Sequence, residues 1–90
     1  MTQTYKTAIK FYTKAAEQGS ARAQFNLGVM YYKGLGVAQD HVLAHMWMNL
    51  ASANGREKAS EARDTIAAKM TPSQIEKAQE LAREFKARKE

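Results

Sequence analysis

His41 and His45 stand four residues apart, a spacing at which two imidazoles share one helical face and could hold a metal ion. Val42, Leu43 and Ala44 lie between them, with no glutamate to serve as a base and no third ligand in register. The pair therefore reads as two polar positions on a helix face, and neither a metal nor another cofactor is expected. Asp40, beside His41, is better used as a helix N-cap than as half of an acid/base dyad. Lys6, Lys10 and Lys14 recur at i+4 and form a basic stripe. Three phosphate contacts give only weak, salt-sensitive affinity, so acidic polymers are a lesser alternative and no specific nucleic-acid partner is expected. Catalytic patterns are missing: there is no cysteine, no Gly-x-Ser-x-Gly and no phosphate loop. Gly34-Leu35-Gly36 is too short for a dinucleotide fingerprint and follows a helical pattern rather than a strand. No enzyme activity is expected.

Composition sets the frame for these residues. Ninety residues suit one small domain, and values of 44% hydrophobic and 26% charged residues are those of a folded chain. A single proline among many Ala, Lys, Glu, Gln and Arg favours helix. No apolar run is long enough to span a bilayer, and no apolar segment of a signal peptide follows Met1, so the compartment stays open. The net charge of +5 is concentrated early. Lys6, Lys10, Lys14, Arg22 and Lys33 face only Glu17 in residues 1–33, a net +4.

Five helices are expected to position these groups. The first covers residues 4–18, with apolar Tyr5, Ala8, Ile9, Phe11, Tyr12, Ala15 and Ala16 at helical spacing, and ends at Gly19. Ser20 caps a second helix over 21–33 that is apolar almost all round and so needs neighbours on several sides. Gly28 in its middle costs about 1 kcal/mol relative to alanine, which points to another helix passing close by. Asp40 caps a third helix reaching residue 53, with Leu43, Ala44, Trp47, Leu50 and Ala51 as core and Asn54-Gly55 as its stop. A fourth spans 56–70 with a stripe of Ala59, Ala62, Ile66, Ala67 and Met70. Thr71-Pro72-Ser73-Gln74 is a capping box that starts a fifth, whose apolar face is Ile75, Ala78, Leu81, Ala82 and Phe85.

The helices repeat. A shift of 36 residues lays Ala8 on Ala44, Phe11 on Trp47, Ala15 on Ala51, Gly19 on Gly55 and Ala23 on Ala59. Fixed glycines in such a register mark a helix–turn–helix repeat whose hairpins bury their apolar faces by stacking. The register fades after Ala59, as in a terminal unit. Lys14-Ala15-Ala16-Glu17-Gln18-Gly19, then Ala23-x2-Asn26-Leu27-Gly28-x2-Tyr31, then Gly34-x-Gly36-Val37-x-Gln39-Asp40 resembles the Sel1-like repeat. Residues 41–55 resemble the first helix of a following unit. Related tetratricopeptide repeats have a period of about 34 and shorter turns. Ala38 stands where the family often has proline.

This resemblance implies an all-α protein: an α/α superhelix of two Sel1-like helix-turn-helix repeats plus a C-terminal capping helix, right-handed and in one domain. Repeat one would take residues 4–38, a degenerate repeat two 39–70, and the cap 72–89. It also implies a non-catalytic scaffold for a protein or peptide partner. With the first helices of successive repeats lining the groove, the expected partner-binding positions are Lys6, Lys10, Lys14, His41, His45 and Asn49. Most aromatics are expected in packing roles. The alternative is self-association through an apolar face of helix one (Tyr5, Ile9, Tyr12), giving a homo-oligomer.

Overall fold

Local signals place the helix ends, and the computed structural model describes residues 2–89. It contains α1 (Thr2–Glu17), α2 (Ala21–Lys33), α3 (His41–Ala53), α4 (Ala59–Ala67) and α5 (Pro72–Lys89), with no strand among the described residues. Ser20 Oγ accepts from the Ala23 amide at 3.2 Å, and Asp40 Oδ1 accepts from Leu43 at 3.0 Å. Each satisfies one of the amides that a helix start leaves without an intrahelical partner. The capping box closes both ways: Thr71 N–H donates to Gln74 Oε1 at 2.9 Å, and Gln74 N–H to Thr71 Oγ1 at 3.1 Å.

The 36-residue register is written into the backbone. Gly19 and Gly55 have φ of 98° and 97°, a left-handed geometry that costs glycine little. Beside them the Ser20 amide reaches the Ala15 carbonyl at 3.1 Å, and the Arg56 amide reaches Ala51 at 2.9 Å. The same turn is built twice from equivalent residues.

Helix α3 is the hub. Helices α2, α4 and α5 pack against it, and α1 packs against α2. One face of α3 sends Met46, Trp47 and Leu50 into a cluster with Ala16, Ala23, Leu27 and Ala82, flanked by Ile9, Tyr12, Leu81 and Phe85. Another sends Ala44, Met48 and Ala51 against Ala59 and Ile66 of α4, flanked by Phe25, Val29 and Tyr32 of α2. The close approach foreseen at Gly28 is to α3: a Cβ there would lie 2.8 Å from Met48 Cε. The radius of gyration, 12.1 Å, agrees with the roughly 12 Å of a single compact body of this length, so α5 is folded onto the hairpins.

Two helices differ in extent from the sequence pattern. Helix α1 starts and ends slightly earlier than residues 4–18. Helix α4 is much shorter than 56–70. Lys58 at its N-cap makes no side-chain cap, and Lys69 and Met70 close with tight bonds to Ile66 and Ala67 carbonyls. An amphipathic pattern runs on through both ends, but nothing holds those turns in α geometry.

Candidate partner-binding surface

Each candidate residue now has a place. Lys6, Lys10 and Lys14 are exposed along α1, and no ion pair involves them among the described residues. His41 and Asn49 are part-buried on α3. His45 departs from expectation: it is 3% exposed and does not reach the surface. Helix α3 is covered on several sides by α2, α4 and α5, so a position that looks polar on an isolated helix is interior here. His41 Nε2 and His45 Nδ1 are both buried without a hydrogen-bond partner. The His41 ring lies 5.4 Å from that of Tyr32. Burial lowers the pKa of His45, with Arg63 adding repulsion and Asp64 offsetting part of it. Among the described residues no cluster of three or more His, Asp or Glu is arranged to hold a metal.

Phe11 is the second departure. Its repeat counterpart Trp47 is 7% exposed and meets Phe85 edge-to-face at 5.4 Å, yet Phe11 is 70% exposed. The reason lies in the packing: α5 covers that stripe of α3, and among the described residues no helix covers the corresponding stripe of α1. Tyr5, at 42%, is also exposed, whereas Ile9 and Tyr12 are partly buried against the core. Thr7, Ile9, Lys10, Phe11, Thr13 and Lys14 line a shallow groove of about 630 Å³.

A second groove, about 480 Å³, opens where the ends of α1, α3 and α5 meet, over Leu50 and Phe85 and beside Lys86 and Lys89. Its wall includes Gln24, a residue that sequence patterning missed. Gln24 is fully buried; its Nε2 donates to the Ala16 carbonyl at 3.0 Å and its Oε1 accepts from Asn54 Nδ2 at 3.0 Å. One amide thus ties the end of α1 to the equivalent turn after α3. A glutamine set between Ala23 and Phe25 on a helix that is apolar almost all round was the available signal.

Stacked hairpins joined by equivalent glycine turns, with polar and aromatic groups on an open helix face, define an α/α superhelical repeat protein. Residues 3–20 and 21–55 match the Sel1 repeat. The chain belongs to the Sel1 repeat family. It is similar to the crystal structure of a protective antigen present in uropathogenic Escherichia coli strains, which displays an SLR fold. That match has a TM-score of 0.87 and 38% identity, over 90% of this chain and 18% of that one. An uncharacterized protein of Neisseria meningitidis serogroup B is 58% identical over 33 residues, or 37% of this chain. Protein sel-1 homolog 2 of Rattus norvegicus is 49% identical over 49 residues, or 53% of this chain. The chain spans 7% of the length of each of these two relatives.

Proposed function

We propose that this chain is a non-catalytic interaction module that docks a protein partner on the open face of α1. The observation that carries the reading is Phe11, 70% exposed between Lys10 and Lys14 over a shallow groove. A large aromatic ring left in water on a folded domain is the kind of anchor that partner surfaces use, and flanking cations add register. Lys6 extends the same basic side, while His41 and Asn49 lie on α3 as secondary contacts. His45 is left out of the surface because it is buried. Membership of a scaffold-forming repeat family supports the same reading, with α5 acting as the cap of the array.

Affinity capture from the native host compares the unaltered chain with Phe11→Ser and with the Lys10→Glu, Lys14→Glu double variant. Both are expected to lose the partner while keeping the helical circular-dichroism spectrum. Undiminished capture by both variants overturns the assignment of the surface. Self-association is the second reading, favoured by Tyr5 and Phe11 being exposed on one helix. Sedimentation showing a monomer at high micromolar concentration would remove it.

A further inference from the structure

The way α5 sits on α3 shows what a helix needs in order to dock on the first helix of a unit in this fold. Met46, Trp47 and Leu50 of α3 are buried in one cluster with Ala82, with Leu43, Leu81 and Phe85 packed against it. Trp47 and Phe85 form the aromatic contact of that seat. Stepping back 36 residues from Leu43, Met46, Trp47 and Leu50 gives Thr7, Lys10, Phe11 and Lys14. All four are exposed, and together they line the shallow groove on α1.

The seat on α1 keeps the aromatic but changes its surroundings. Methionine and leucine are replaced by lysines, and the flanking leucine by threonine. A helix lying there as α5 lies on α3 must present an apolar ridge to Phe11 and carboxylates to Lys10 and Lys14. Partly desolvated ion pairs of this kind add register and discrimination, while the ring supplies most of the buried apolar area. A second copy of α5 fits poorly. Residues 72–89 hold five basic and three acidic side chains, so α5 is itself net positive, as α1 is. Like charges would face each other across that contact.

We propose that the Thr7–Lys14 face of α1 binds an acidic amphipathic helix of a partner protein, seated on Phe11 as α5 is seated on Trp47. This rests on the reading of the chain as an interaction module and names the chemistry of its partner. Recognition is helix-in-groove, with apolar anchors at helical spacing on one side and acidic groups beside them.

The probe is a fluorescently labelled peptide of the α5 sequence carrying Lys77→Glu, Arg83→Glu and Lys86→Glu, titrated with the whole chain at low salt. The unsubstituted α5 peptide is the control. The acidic peptide is expected to bind at least about tenfold more tightly than the control. Phe11→Ala and the Lys10→Glu, Lys14→Glu pair are each expected to weaken it at least about tenfold. Phe11 is exposed, so its truncation leaves the core intact, and unchanged thermal melts of both variants verify this. Equal binding to the unaltered chain and both variants, or no binding of the acidic peptide, overturns the proposal. So does a Phe11-dependent dimer in sedimentation without peptide, which would make a second copy the occupant. If capture from the host depends on Phe11 while the acidic peptide does not bind, the partner chemistry falls and the interaction module stands. If capture is also independent of Phe11 and of the lysines, both fall.

Discussion

Within the second turn of α3, His45 is buried with Nδ1 bonded to nothing, and burial, helped by Arg63 and opposed by Asp64 on α4, pulls its pKa below the ordinary range. The folded protein therefore resists protonating this imidazole, whereas in the unfolded chain it titrates near the usual value of about 6.5. Above that pH neither state takes the proton, and the contribution of His45 to stability is constant. Below it the unfolded chain binds a proton that the folded one resists, so stability falls with pH until the lowered folded pKa is passed. The urea midpoint is expected to drop between pH 7 and pH 5.5, and His45→Leu to flatten that slope without loss of stability at pH 7. A slope unchanged by the substitution would assign the effect to another group. Neither His45 nor Phe11 was legible in the sequence. Both take their exposure from what covers or fails to cover their helix: α2, α4 and α5 around α3, and, among the described residues, no helix over the outer stripe of α1. The lysines of α1 were legible, because a charged i+4 stripe opposite an apolar one fixes its own direction.

At the scale of elements, caps and turns were the most readable part of the chain, since each is decided by two or three neighbouring residues. Ser20, Asp40 and the Thr71–Gln74 box all cap as their types require. The ends of α4 were not readable, because periodicity gives a face and no stopping point. The loop after α2 shows local chemistry tied to packing. Gln39 Nε2 donates to the Tyr32 carbonyl at 2.8 Å and the Asp40 amide to Tyr31 at 2.9 Å, folding the loop back on the end of α2. Gly36 then sits at φ 75° with a Cβ position only 2.7 Å from the Tyr5 carbonyl carbon of α1. Gly19 also has positive φ but open space around it. Gly19→Ala is thus expected to cost about 1–2 kcal/mol from backbone strain alone. Gly36→Ala is expected to cost distinctly more and to loosen the first turns of α1, read as faster amide exchange there. Equal losses for the two variants would mean that the loop does not brace α1.

Across the whole molecule, the repeat needs contacts that set one hairpin against the next, and apolar stacking is less directional than a hydrogen bond. The Gln24 amide supplies a directional link: it joins the Ala16 carbonyl, at the end of α1, to Asn54, in the equivalent turn 36 residues beyond Gln18. Its two bonds differ in burial. Ala16 and Gln24 are fully buried, whereas Asn54 is exposed and has water available when its partner is lost. Gln24→Ala removes buried volume and takes from the Ala16 carbonyl one of its two donors, leaving it the Gly19 amide at 3.0 Å, so a loss of about 2 kcal/mol is expected, mostly from packing. Asn54→Ala takes the donor from the buried Gln24 Oε1, for about 1–2 kcal/mol. Because both changes break the same bond, the double variant should lose less than the two single losses added, by about 0.5–1 kcal/mol. Urea unfolding of the four proteins measures this. Strict additivity would show that the turns are set by stacking alone, and that the buried glutamine serves α1 without joining the hairpins.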